Sequence, residues 1–183
     1  MKKSILHKDK IALPKGSDGT PERFVHPVEP LYDENSRVFI LGTFPSPKSR
    51  EGRFFYHHPQ NRFWKVMAAL TDSPVPETIE QKKELILSNG FAVWDVIKSC
   101  RVTGASDSSI RDVVPADLSI ILDNAPIERI FANGEKAYRL YMKYIFPETE
   151  RPITKLPSTS PANASWSLEK LIDAWSVIMV SER

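Results

Sequence analysis

Cysteine is almost absent from this sequence, since Cys100 is the only one among 183 residues. A disulfide framework, a four-thiolate zinc site and a cysteine-ligated iron–sulfur cluster all need more thiols, so all three are excluded. Cys100 follows the apolar stretch FAVWDVIK, which favours a buried structural thiol over a catalytic nucleophile.

Long apolar runs and a strong net charge are also missing. No uninterrupted apolar run approaches the roughly 18 residues that span a bilayer. The basic start, MKKSILHKDK, has no apolar core behind it. We therefore expect no membrane association and a cytoplasmic or nuclear protein. The formal net charge of +2 does not by itself indicate nucleic-acid binding, but it allows such binding where the basic groups share one face.

Length and composition indicate a single domain. The 183 residues are 41% hydrophobic and 26% charged, which is typical of globular proteins. The 15 prolines against 7 glycines indicate stiff, shaped loops. Residues 1–35 carry scattered prolines and little periodicity, so we expect an extended N-terminal arm on one domain that spans residues 36–183.

Strand and helix patterns alternate through this domain. Short apolar runs indicate buried strands, and apolar residues three and four positions apart indicate helices. The predicted strands lie at 37–41, 91–97, 127–132 and 153–156, and the predicted helices at 62–70, 78–88, 116–124, 134–145 and from 167 onward. This order predicts an α/β fold, a three-layer α/β/α sandwich around a short central, mainly parallel sheet. The loops at the carboxyl ends of its strands are then available for function.

Two loops that follow predicted strands have unusual compositions. The first begins with GTFPS at residue 42 and continues to FFYHHPQNRFW, which gathers aromatic rings, two imidazoles and an amide. The second reads LPSTSPANA and spans residues 156–164. Its small hydroxyl residues, held by two prolines, can approach a phosphate backbone closely and donate hydrogen bonds without carrying charge.

These loops resemble motifs of the uracil-DNA glycosylase superfamily, with the best match to its hypoxanthine-DNA glycosylase and mismatch-specific branches. The matching segments are GTFPS after a strand, YHHPQNRFW before a helix, and LPSTSP followed by SLEKL near the end. Their order and spacing are kept from about Ser36 onward. HPQNRFW together with LPSTSPANA is specific, whereas GTFPS alone is weak.

The first loop departs from the pattern of one branch. In the mismatch-specific branch an asparagine of this loop positions the attacking water, and Phe44 occupies that place here. The hypoxanthine-type branch also lacks the polar residue, and its catalytic asparagine stands before Arg-Phe-Trp, at the position of Asn61. The resemblance therefore implies that Asn61 is the catalytic residue.

The other loop residues receive roles around a base flipped out of DNA. Tyr56 matches the stacking position of the family. Asn61 can hold the edge of the base, by donating to a carbonyl and accepting from a ring N–H, or it can orient a water. The rest of the base cradle would come from Gly42, Thr43, Phe44, Pro45 and Ser46. We expect contacts with DNA from Lys48, Arg50, Arg53, Arg62, Ser158, Thr159, Ser160, Pro161, Ala162 and Asn163.

Several of these residues also have ordinary structural explanations. Asn61, taken alone, is typical of a cap on the following helix. Phe63 and Trp64 are typical of a helix face in the core. His57 and His58 have no nearby ligand set, so we assign them no metal. We interpret three isolated acids as surface charges or caps rather than water activators, namely Asp95, Asp107 and Asp112.

The resemblance implies a monofunctional DNA glycosylase that hydrolytically removes a deaminated base in base excision repair. We expect hypoxanthine as the best substrate and uracil as the second, no metal or organic cofactor, and a monomer bound to DNA that contains a damaged or mismatched base. The alternative is a nucleic-acid-binding module that has lost catalysis, which Phe44 favours. An α/β hydrolase would need a Gly-x-Ser-x-Gly elbow, and a zinc deaminase a Cys-x-x-Cys, and both motifs are missing.

Overall fold

The computed structural model describes residues 22–103 and 109–179. The strands are β1 (Glu22–Val25), β2 (Val38–Gly42), β3 (Phe91–Asp95), β4 (Ile97–Val102), β5 (Arg111–Pro115), β6 (Arg129–Asn133) and β7 (Ile153–Leu156). The helices are α1 (Pro47–Gly52), α2 (Phe63–Leu70), α3 (Ile79–Ser88), α4 (Ser119–Leu122), α5 (Glu135–Tyr144), α6 (Phe146–Thr149) and α7 (Leu168–Trp175).

The central sheet is parallel and has the strand order β3-β2-β6-β7. All five residues of β2 and of β3 are buried, because strands of a parallel sheet flanked by helices face the core on both sides. Continuous apolar runs therefore identified these strands correctly. The predicted α/β sandwich with a mainly parallel sheet is confirmed.

A second sheet, antiparallel with the order β1-β4-β5, was not predicted. The apolar run at 91–97 does not form a single strand. The chain leaves the central sheet after Asp95 and enters the second sheet at Ile97. No glycine or proline marks this change, so the sequence pattern does not show it. Cys100 lies on β4 and is fully buried, as predicted for a structural thiol.

The described part of the N-terminal arm, residues 22–35, lies against the domain. Its strand β1 pairs with β4, with Phe24 opposite Cys100. Farther along, Leu31 forms a bridge with Val93 of the central sheet. Residues 1–21 lie outside the described residues, and the division of the chain at residue 35 stays a prediction.

The core between the central sheet and helices α2 and α7 lies close to the loops singled out in the sequence. Phe63 is fully buried and Trp64 is 6% exposed, so both are core residues as predicted. The indole of Trp175 on α7 lies edge-on to the ring of Phe63, with the ring centres 5.9 Å apart. Among the described helices, none has the length and apolar character required to cross a membrane.

Candidate active site

A pocket lies at the carboxyl ends of the parallel strands. Gly42 ends β2, Asp95 ends β3 and Asn133 ends β6, while Ser158 follows β7. The chain places β3 on one side of β2 and returns later to place β6 on the other side. In open α/β sheets, ligands bind outside the carboxyl ends of the strands at such a reversal. The topology therefore puts the pocket where a ligand site is expected.

The pocket brings together most of the residues that the sequence predicted. Asn61 and all six expected base-binding residues line it, together with three residues of the loop after β7 (residues 157–166), namely Ser158, Thr159 and Ser160. The predicted DNA contacts Lys48, Arg50, Arg53, Arg62, Pro161, Ala162 and Asn163 do not line it. Four lining residues were not among the predicted site residues: Ser49, Phe55, Asp95 and Asn133.

Asn61 is both a cap and a pocket residue. Its Oδ1 accepts from the backbone N–H of Phe63 at 3.0 Å, at the start of α2, and from the hydroxyl of Thr159 at 2.9 Å. Two donors on one oxygen fix the orientation of the amide. The Nδ2 group donates to no other described residue, so it is the donor that this pocket-lining side chain can offer to a ligand. Asn61 therefore lacks the free acceptor that would read a ring N–H, contrary to the sequence-based expectation.

Thr159 lies inside the protein and not on its surface. Its side chain is fully buried, its backbone N–H donates to Asn133 Oδ1 at 3.0 Å, and its Oγ1 accepts from Asn133 Nδ2 at 2.9 Å. The chain of bonds from Asn133 through Thr159 to Asn61 joins the end of β6 to the start of α2. The predicted contact of Thr159 with DNA is not supported, because this side chain holds Asn61 in place instead.

Arg62 holds the loop after β7 against the start of α2. Its guanidinium donates to Ser160 O at 2.7 Å and Asn163 O at 3.0 Å, and it also bonds the main-chain oxygens of Thr159 and Trp166. The planar guanidinium of arginine has five N–H donors and can bond several carbonyls at once, which the single ammonium group of a lysine does not match. These bonds give Arg62 an internal role, and its contact with phosphates stays a prediction.

Arg50 is also engaged within the protein. Its guanidinium lies 4.2 Å from the ring centre of Phe24 and donates to Pro45 O at 2.9 Å. Burial lowers the pKa of Arg50 from its usual value. The other two cations predicted to contact DNA, Lys48 and Arg53, are exposed, and their contact with DNA stays a prediction.

Replacing Arg62 with alanine should mainly lower the stability of the fold, with a smaller effect on DNA affinity. The loop carbonyls lose a charged donor, and we expect a loss of about 2 to 3 kcal/mol in the free energy of unfolding, measured by denaturant titration. Arg62→Lys should recover less than half of that loss. Unchanged stability combined with a large loss of DNA affinity would contradict the internal role.

Tyr56 adopts an unusual backbone conformation beside the pocket. Its φ of 48° is in the left-handed region, which a bulky residue enters at a cost of about 1 kcal/mol or more. The ring stacks on Phe63, with centres 3.9 Å apart. The buried hydroxyl has no hydrogen-bond partner among the described residues. Burial, and then the charge of Asp95, raise the pKa of Tyr56, so the hydroxyl stays protonated and can donate. Stacking of Tyr56 on a flipped base stays a prediction.

Asp95 is a buried pocket residue, so our interpretation of it as a surface charge or cap is wrong. It is 5% exposed, and its Oδ2 lies 2.8 Å from His26 Nε2. Its Oδ1 lies against Gly42, where an added Cβ would come within 2.2 Å. An acid that ends a buried apolar strand, as in FAVWD, was the signal that could have revealed it. Asp107 lies outside the described residues, and Asp112 is exposed and 3.6 Å from Arg101.

The pocket offers mostly neutral hydrogen-bonding groups. Among the described residues, no group of three or more His, Cys, Asp or Glu side chains could hold a metal ion. What the pocket offers is a set of neutral hydrogen-bonding groups from Asn61, Asn133 and Tyr56, with one carboxylate, Asp95. Such a set binds and orients a polar planar ligand.

An α/β sandwich with an amide-bearing pocket at the ends of its strands defines the structural class, and comparisons with known proteins define the family. Residues 29–178 match the sequence profile of the Uracil DNA glycosylase superfamily. The chain therefore belongs to the uracil DNA glycosylase superfamily, and the resemblance carried by its loops is confirmed.

Three similar proteins illustrate this relationship. A hypoxanthine DNA glycosylase from Methanosarcina barkeri is 31% identical over 110 residues, which cover 59% of this chain and 70% of that protein. A hypoxanthine DNA glycosylase from Methanosarcina acetivorans is 32% identical over 141 residues, which cover 75% of this chain and 87% of that protein. A third protein, from Methanosarcina acetivorans, has a solution NMR structure and is provisionally described as a uracil DNA glycosylase. Its TM-score is 0.70 at 26% identity, and the match covers 84% of this chain and 97% of that chain.

Proposed function

We propose that this protein is a DNA glycosylase that flips hypoxanthine out of DNA and removes it by hydrolysis of the N-glycosyl bond. The observation that carries this proposal is the amide of Asn61, a pocket-lining residue whose oxygen accepts from Phe63 and Thr159 and whose Nδ2 has no acceptor among the described residues. The similarity to two proteins named hypoxanthine DNA glycosylase supports the substrate.

The chemistry of base release suits a neutral donor such as Asn61. Cleaving the bond to deoxyribose builds positive charge on the sugar and negative charge on the leaving base. A donor aimed at the base therefore strengthens its hydrogen bond as the reaction proceeds, and this differential binding lowers the barrier. A donor held rigidly by other side chains has little reorganisation to undergo during the reaction. The bonds from Thr159 and Phe63 provide that rigidity.

The donor edge of Asn61 also selects among bases. Hypoxanthine presents a carbonyl oxygen that Nδ2 can reach as a donor, and uracil presents a similar carbonyl. Adenine and cytosine present an amino group in that place, which would leave the amide unpaired at a cost of about 1 to 3 kcal/mol. We place hypoxanthine first because the hypoxanthine-type first loop, with Phe44 in place of an asparagine, is the pattern present here.

DNA would lie over the mouth of the pocket. Pro161 and Ala162 are exposed on the loop after β7, and Lys48 and Arg53 are exposed near α1. We propose that these residues contact the sugar-phosphate backbone as one protein molecule binds one lesion. The internal bonds of Arg62 would keep the loop shaped for that contact.

The proposal is tested by incubating the protein with oligonucleotides that carry different damaged bases and detecting abasic sites. We expect abasic sites in duplexes with inosine and, more slowly, in duplexes with uracil. We expect the strand to remain intact until it is treated with alkali, since a hydrolytic enzyme does not cut the backbone itself. Retained DNA binding without release of any base would contradict the proposal and favour a binding module.

A further inference from the structure

The pocket contains a buried carboxylate, Asp95, to which the chemistry proposed above gives no role. Hypoxanthine carries a ring N–H beside its carbonyl, and this N–H needs an acceptor when the base is buried. The side-chain carbonyl oxygens of Asn61 and Asn133 already accept from Thr159. Asp95 lines the same pocket, and its Oδ1, which lies against Gly42, has no donor among the described residues. It is therefore a side-chain acceptor that is available for the ring N–H.

His26 determines which oxygen of Asp95 is available. The backbone N–H of Val28 donates to His26 Nδ1 at 3.2 Å, so the ring proton sits on Nε2 and donates to Asp95 Oδ2 at 2.8 Å. The His26 side chain is 3% exposed, and its ring lies edge-on to Phe44 and Trp94. Hydrogen bonds and the two aromatic contacts therefore fix the His26 ring. Its Nε2–H bonds Oδ2 of Asp95 and leaves Oδ1 without a donor among the described residues.

His26 also lies outside the part of the chain that the superfamily profile matches, which begins at residue 29. His26 directly follows β1, which pairs with β4. The backbone N–H of His26 donates to Lys98 O at 2.8 Å. The N-terminal segment therefore places a side chain behind Asp95, which itself lines the pocket.

The geometry points to a pair of side chains that recognise the edge of the base where a ring N–H lies beside a carbonyl. Asp95 Oδ1 and the Tyr56 hydroxyl both lie against Gly42, at 2.2 Å and 3.1 Å from the position of an added Cβ. We propose that Asp95 Oδ1 accepts from N1–H of the flipped hypoxanthine beside the donating Tyr56 hydroxyl, and that His26 is the positioning residue that holds Asp95 for this contact. This inference rests on the proposed function.

The test compares binding to two duplexes in which a 2′-fluoro sugar keeps the base attached. One duplex carries hypoxanthine, and the other carries unsubstituted purine, which has neither the ring N–H nor the carbonyl. The variants are Asp95→Asn, which turns the free oxygen into an NH2 donor, and His26→Phe, which keeps a ring but loses the donor. His26→Gln serves as the conservative variant, since its amide can donate to Asp95 Oδ2.

We expect the unaltered protein to prefer the hypoxanthine duplex, and Asp95→Asn and His26→Phe to reduce this preference about 10-fold or more, through hypoxanthine affinity alone. His26→Gln should restore most of it. A preference unchanged in both variants, an equal loss on both duplexes, or no rescue by glutamine would overturn the inference. If the unaltered protein releases no hypoxanthine from an ordinary inosine duplex, the proposed function itself fails, and this result is read independently of the binding preferences.

Discussion

Replacement of Asn61 with alanine is expected to slow single-turnover release of hypoxanthine by about 100-fold or more, the effect of losing one donor that acts in the transition state. DNA affinity should change little, because Lys48 and Arg53, the exposed cations that we propose to contact the backbone, remain. The substitution also removes the acceptor for the N–H of Phe63 and for the hydroxyl of Thr159. We therefore expect an additional loss of about 1 to 2 kcal/mol in the free energy of unfolding.

Asn61→Asp separates the two roles of this residue. The aspartate keeps an oxygen that can accept from Phe63 and Thr159, but it replaces the Nδ2 donor with a second oxygen. We expect unfolding close to that of the unaltered protein and a loss of base release as large as in Asn61→Ala. Near-normal base release by folded Asn61→Asp would show that the pocket donor is not needed and would reduce Asn61 to a helix cap.

Gly42→Ala is expected to reduce base release by about 100-fold through the displacement of pocket groups. The added Cβ would lie 2.2 Å from Asp95 Oδ1 and 3.1 Å from the Tyr56 hydroxyl, so both side chains must move. The free energy of unfolding should fall by about 1 to 3 kcal/mol, as for other overpacked core positions. Single-turnover kinetics and denaturant titration of the same preparation measure the two effects.

Gly90→Ala is a matched control for Gly42→Ala. Gly90 has a φ of +71° before β3, so alanine there strains the backbone at a cost of about 1 kcal/mol, while its closest neighbour is the Asn35 carbonyl and not the pocket. We expect Gly90→Ala to be less stable with normal base release. Equal losses of release in both variants would attribute the Gly42→Ala effect to stability alone.

The central sheet was predictable because each of its strands follows from a local pattern. The run RVFIL before Gly42 and the run IERIFA are apolar for the length of one strand, and parallel pairing follows from the helices between them. The two unusual loops after strands were found on the same basis, and their residues do meet in the pocket.

The less predictable parts depend on contacts between residues that are distant in the sequence. We expected Arg62 to contact phosphates because a sequence shows its charge but does not show the carbonyls, 97 to 104 positions away, that its guanidinium bonds. Asp95 was expected on the surface because its partner His26 lies in a segment with no periodicity. The strand period of 2.0 residues and the helix period of 3.6 residues carry no information about partners that are distant in the sequence.

The most direct test of the central claim is single-turnover base release from duplexes that differ only at one base, which is hypoxanthine, uracil, adenine or cytosine. The proposed function predicts fastest release of hypoxanthine, slower release of uracil, and little or no release of adenine and cytosine. It also predicts that Asn61→Asp slows the release of hypoxanthine and of uracil, because the same donor serves both carbonyls. Faster release of uracil than of hypoxanthine, or normal release by Asn61→Asp, would contradict it.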